Sequence, residues 1–225
     1  MYAFLRRSIC LLSWIFPAVL LGGCAVAAWF ATLFPPDKVK PLYEIPKNNT
    51  LLVLVEDPKH HAGETALKTE LTEFLNQEFE QRGLVEHVVS YRQLINLAAA
   101  TENFRALSTS EVGKKLDADV VLYVQVDEFS LKDDPNSPFW HGNLSTLVRL
   151  VSVKEGRLWP RELPEGYKPR KVDGGSVSGD GSRRFEQKLV RDMALEMADN
   201  IAKLFYEHRG QPHGALPQDE TVERP

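Results

Sequence analysis

From Ile9 to Phe34 the chain carries no charged side chain. Such a run cannot be divided between a core and a wetted surface, so a globular fold has to be assembled from the residues that follow it. Arg6 and Arg7 stand just before the run. Ile9 to Leu21 is apolar apart from Ser13, with Pro17 inside it. A short positive segment followed by an apolar one is the layout of a secretory signal.

The apolar segment closes on Leu21-Gly22-Gly23-Cys24. This stretch resembles the bacterial lipobox: an aliphatic residue, two small residues, then the cysteine that is acylated. Small residues suit a peptidase that takes a slim, extended backbone before the cut. Residues 1–23 then read as a lipoprotein signal peptide and Cys24 as the lipid attachment point. A second reading keeps 9–34 as one uncleaved signal anchor, because the chain stays apolar from Ala25 to Phe34 and the whole run is long enough to span a bilayer. Arg6 and Arg7 on the inner side place the rest of the chain outside the cytoplasm under either reading. The expected location is the cell membrane or outer membrane, with the domain facing the periplasm or exterior. Residues 24–49 form a tether, apolar at first and then extended by Pro35, Pro36, Pro41 and Pro46.

The 225 residues leave one ordinary domain after this N-terminus, and a hydrophobic fraction of 43% with 26% charged residues is that of a globular chain. Without Arg6 and Arg7, the 27 basic residues fall to 25 against 31 acidic ones, a net charge of −6 from Cys24 onward. A mildly acidic domain repels phosphate backbones, which argues against nucleic acid as a partner. Cys10 and Cys24 are the two cysteines. Nothing after Cys24 can form an intrachain disulfide or supply a thiolate, so zinc-ribbon, thioredoxin-like and papain-like readings are excluded.

The domain is expected over residues 50–210, with a disordered tail at 211–225. Leu51 to Val55 is a short continuous apolar run, the pattern of a strand buried on both faces. Leu67, Leu71, Phe74, Leu75 and Phe79 give an amphipathic helix from Thr65 to Arg82, stopped by Gly83. Leu84 to Val89 follows as a short strand. Ser90 and Gln93, then Ser108 and Glu111, have capping-box spacing and open two more helices. Val120 to Val126 is the strongest strand, and His141 to Val153 is another. Lys154-Glu155-Gly156 makes a tight turn into Arg157 to Pro160. Pro164 to Gly181 holds five glycines and two prolines and reads as loop, with a short strand near Val172 or Val177. Ser182 caps a long helix whose stripe runs Phe185, Leu189, Met193, Met197, Ile201 and then Leu204 or Phe205, through to about His208. The fold class is α/β. A mixed parallel and antiparallel sheet carries packed helices and closes on the long C-terminal helix.

The layout resembles envelope domains related to the N-terminal domain of TolB, the periplasmic part of the curli-secretion protein and the lipoprotein activators of penicillin-binding proteins. The resemblance rests on the opening strand Leu51–Val55 and the strand-helix unit from Val88 to Leu97. It also rests on the helix, Ala-Asp turn and strand at Val112-Gly113-Lys114-Lys115-Leu116-Asp117-Ala118-Asp119-Val120-Val121-Leu122-Tyr123. The hairpin at Val153-Lys154-Glu155-Gly156 and the last helix complete it. It covers about residues 50–208 and implies a TolB-N-like fold with a binding or assembly role, without catalysis. No long alternating hairpins of the kind a membrane barrel needs are present, so a pore is not implied.

The chemistry-bearing residues agree with that. His60 and His61 are adjacent on a polar loop and lack the spacing of a helical metal pair. No serine sits in a Gly-x-Ser-x-Gly elbow, and the Gly174–Gly181 stretch lacks Gly-Lys-Ser/Thr. Asp127, Glu128, Asp133 and Asp134 match no calcium loop. No catalytic residue, metal or cofactor is expected. The candidate partner contacts are Phe139, Trp140 and Trp159, aromatic residues beside loops and prolines. The chain therefore reads as a non-catalytic envelope lipoprotein that binds a protein partner in assembly or transport. One alternative is an extracytoplasmic enzyme in which Asp127, His141 or Asp180 converge. Another is a structural protein that binds peptidoglycan or polysaccharide through exposed, coplanar Trp140 and Trp159.

Overall fold

The computed structural model describes residues 38–63, 66–134 and 136–210. The chain divides into two units, residues 1–38 and 39–225, and of the first only Lys38 is described. The signal segment, Leu21, Gly22, Gly23, Cys24, the apolar run to Phe34 and the tail 211–225 lie outside the described residues.

Strand β1 (Thr50–Glu56) is buried on both sides. Leu51, Val53 and Val55 enter one core and Leu52 and Leu54 another, which is why the run shows no polar alternation. β1 pairs in parallel with β2 (His87–Val88) on one side and with β3 (Val120–Ser130) on the other. β3 runs antiparallel to β4 (Phe139–Ser152). The far edge of β4 is shared. β5 (Gly156–Trp159) takes its C-terminal part and β6 (Val172–Ser178) its N-terminal part, both antiparallel. The sheet order is β2-β1-β3-β4-β5, with β6 beside β4. The protein is α/β with a mixed sheet, as the order of its elements implies.

Among the described residues four helices cover the two faces: α1 (Leu67–Gln81), α2 (Tyr91–Ala100), α3 (Thr109–Lys115) and α4 (Arg183–Ala202). α1 and α4 pack on the larger core through Leu71, Leu75, Phe79, Met193, Met197 and Ile201, all at most 2% exposed. α2 and α3 pack on the smaller core through Leu94 and Val112. Both predicted capping boxes form, Ser90 with Gln93 and Ser108 with Glu111. Gly83 takes φ +60°, and the amides of Gly83 and Leu84 reach the carbonyls of Glu80 and Phe79, a Schellman stop. α3 ends the same way with an aspartate in glycine's place. Asp117 has φ +52°, and the amides of Asp117 and Ala118 reach Lys114 and Gly113.

Several boundaries differ from the sequence reading. The glycine-rich stretch, expected as loop with a short strand near Val172 or Val177, holds the seven-residue strand β6, because pairing with β4 supplies what its composition lacks. The last helix ends at Ala202 and tightens into a 3₁₀ turn, Lys203–Phe205, short of His208. There the Leu204 carbonyl turns to the amides of Leu42, at 2.8 Å, and Tyr43, at 3.4 Å. Those amides belong to the stretch expected as the end of the tether. In the fold that stretch lies against the domain, with Ile45 buried in the larger core and the Lys47 carbonyl accepting the Glu86 amide. The strand expected over Leu84–Val89 shortens to β2, while β3 runs on to Ser130 and β4 starts at Phe139.

Candidate functional site

The long β3–β4 hairpin carries Asp127, Asp133, Asp134 and His141. β3 is irregular between Val126 and Glu128, at Asp127. The Asp127 carboxylate accepts from Lys59 at 3.3 Å and Lys168 at 3.0 Å. The Lys168 hydrogen bond is the larger cause holding this carboxyl below its ordinary range.

At the start of β4, the His141 ring sits between two carboxylates. Its Nδ1 lies 2.6 Å from Asp133 and its Nε2 lies 2.8 Å from Asp173. Both nitrogens face acceptors, so the doubly protonated ring fits best. Hydrogen bonds to Asp133 first and Asp173 second raise its pKa. The reciprocal bond from His141, with the Gly175 amide, lowers that of Asp173. This clamp ties the β3–β4 loop to β6.

Asp180 caps a turn instead, accepting the Ser182 amide at 2.8 Å. Asp127, His141 and Asp180 thus have separate partners, and no hydrogen bond joins any two of them. Asp134 likewise accepts the Asn136 amide. Among the described residues no group of three ligating side chains is placed to hold a metal ion. His60 and His61 are exposed on their loop.

The three aromatic candidates take different positions. Phe139 is 52% exposed at the first residue of β4. Trp140, pointing to the other face, is 9% exposed and packs edge-on against Phe185 of α4, with the Lys132 ammonium 4.6 Å from its ring centre. Trp159 is half-buried between Tyr167 and Phe205. The coplanar, exposed Trp140–Trp159 platform that polysaccharide stacking needs does not form. Sequence reasoning singled out His141 but missed its clamp, since Asp133 and Asp173 lie 8 and 32 residues away. It also missed a crevice at the end of β1, whose walls come from four separate segments.

No family model matches the chain and no curated protein matches it. Solved structures similar to it include lipoprotein GNA1162 from Neisseria meningitidis, at 16% identity and TM-score 0.41, covering 70% of this chain and 99% of that one. The PelC dodecamer from Paraburkholderia phytofirmans matches at 9% identity and TM-score 0.39, covering 76% and 97%. The LpoB C-terminal domain from Escherichia coli matches at 19% identity and TM-score 0.35, covering 61% and 87%. Further matches are named as lipoproteins, from Caulobacter crescentus and Acinetobacter baumannii. No helix among the described residues is long and apolar enough to cross a membrane.

Proposed function

We propose that this chain is an envelope lipoprotein, anchored through lipid on Cys24, whose α/β domain holds a protein partner outside the cytoplasm and performs no catalysis. The single observation that carries the reading is Leu21-Gly22-Gly23-Cys24 behind Arg6, Arg7 and the apolar run from Ile9. The geometry of the domain favours binding. Phe139 stands 52% exposed on a hairpin stiffened near its loop end by the His141 clamp and backed by Trp140 against α4. A rigid aromatic with one free face is the kind of anchor that dominates protein interfaces. In this reading Phe139 makes the contact, and Trp140 and Trp159 hold the sheet that presents it. The membrane is the cell membrane or the outer membrane, and the process is envelope assembly or transport.

Two measurements test the reading. The intact mass of the purified protein is expected to match a chain that starts at Cys24 and carries fatty acyl groups; a chain that retains residues 1–23 rules out the lipid anchor. A photo-crosslinking residue at Phe139 in intact cells is expected to capture a discrete envelope protein, while the same residue at exposed Glu73 of α1 captures none. Equal capture at both positions, or none at either, removes Phe139 from the interface.

A further inference from the structure

A further built feature is a crevice of about 410 Å³ where β1 ends. Its position follows from topology. β1 has parallel neighbours on both sides, and α1 and α2 pack on opposite faces of the sheet. The two helices therefore part at the C-terminal end of β1, the place where open α/β sheets receive ligands. The volume lies in the range of small-molecule sites.

The walls are held in place before any ligand arrives. Thr69 of α1 and Tyr91 of α2 are hydrogen-bonded at 3.0 Å, bridging the two helices. The loop after β1 is fixed by Asp57, whose two carboxylate oxygens accept the amides of His61 at 3.0 Å and Ala62 at 2.8 Å. Ala62 is buried in the larger core, and His60 is kept at φ +57°. A site ordered in advance loses little entropy on binding.

The lining has an apolar part and a charged part. Leu94, Ile95 and Ala98 of α2, with Phe104, form an apolar wall, and Ile95 is 46% exposed there. Both carboxylates at the crevice already have donors: Asp57 has the two amides, and Glu56 has the Tyr123 hydroxyl at 2.7 Å. Among the described residues the cations have no such partner. Lys68 and Arg105 line the crevice, are exposed, and enter no ion pair among the described residues. The unused recognition capacity is thus two cationic donor groups beside an aliphatic and aromatic wall.

The geometry points to a binding site for a small anionic amphiphile, a carboxylate or phosphate on a compact apolar body. The anion is held by Lys68 and Arg105 and the body lies on Ile95, Leu94 and Phe104. Charge-assisted hydrogen bonds supply the preference for the anion.

The test uses the full chain in phosphatidylcholine nanodiscs, with empty nanodiscs as background, and saturation-transfer NMR. The probes are 4-phenylbutyrate, phenyl phosphate and the neutral 4-phenylbutyramide. At least one anion is expected to bind saturably and about tenfold or more tighter than the amide. Preference for phenyl phosphate points to a phosphorylated ligand such as a lipid headgroup, and preference for the carboxylate points to a free acid. The double variant Lys68→Gln/Arg105→Gln, at exposed positions outside both cores, is expected to lose that advantage, and Ile95→Glu is expected to weaken anion binding as well. The proposal is overturned if neither anion binds, if the amide binds as well as the anions, or if anion binding survives the double variant.

Discussion

Gly113 shows how closely α3 approaches the sheet. A Cβ built there would lie 2.7 Å from Val153 Cγ2 and 2.8 Å from Val121 Cγ2. Alanine is the better helix former by roughly 1 kcal/mol, but the overlap outweighs that gain. Gly113→Ala is expected to destabilise the protein by about 1–3 kcal/mol in denaturant unfolding. Adding Val153→Ala should return part of the loss, and a double variant no better than the single one would place the strain elsewhere. His141 makes a prediction of a different kind. Its pKa in the folded protein lies above its unfolded value. The clamp therefore contributes fully below about pH 6.5 and is lost as pH rises through the higher folded value. On the acid side, Asp173 has the opposite sign: its lowered pKa keeps its share of the clamp until pH falls through that depressed value. Amide exchange at residues 139–143 is expected to be slower at about pH 6 than at about pH 8.5, after correction for intrinsic rates. In His141→Asn the difference should vanish, and its persistence would assign it to another group. Ser145 offers a simpler check. It is 0% exposed and its hydroxyl has no partner among the described residues. Ser145→Ala should be neutral or stabilise by up to about 1 kcal/mol in the same unfolding assay.

The helix starts were the most legible features of the chain. A capping box is a local exchange of hydrogen bonds over four residues, so Ser90-x-x-Gln93 and Ser108-x-x-Glu111 form as their spacing implies. Ser108→Ala should lower stability by about 1 kcal/mol. Glu111, whose carboxyl sits below its ordinary range because it accepts from the Ser108 amide and hydroxyl, should then move up toward it in an NMR titration. The Ala-Asp turn was legible as a signature, and the fold supplies its mechanics. Asp117 takes the left-handed turn, Ala118 is buried, and Asp119 bonds the Thr50 amide through its side chain and the Thr50 carbonyl through its own amide. Elements whose extent depends on distant partners were only partly legible. β6 has only Val172 buried and is a strand because β4 lies beside it. The 3₁₀ ending of α4 depends on a carbonyl turned toward Leu42, more than 160 residues earlier.

The sheet separates two cores of unequal size. The larger lies under α1 and α4 and the smaller under α2 and α3. Opening free energy follows buried apolar contact, so the amides of α2 should exchange through a smaller opening than those of α4 and β3 in native-state hydrogen exchange. Equal protection on both faces would mean that the domain opens only as a whole. The same inequality bears on the crevice, since one of its walls is the helix on the smaller core.

By itself the sequence determined the charge-free N-terminus with its Leu21-Gly22-Gly23-Cys24 ending, the α/β class, the two-sided burial of β1, the helix caps and the absence of thiols after Cys24. Each of these is written in neighbouring residues, within the reach of one turn, one strand period or one short motif. Only the tertiary structure decided that Trp140 faces inward while Phe139 stays out, that His141 is held by Asp133 and Asp173, and that Lys68 and Arg105 meet at one crevice. Those outcomes depend on which distant segments the sheet order brings together. No periodicity within a single segment carries that information.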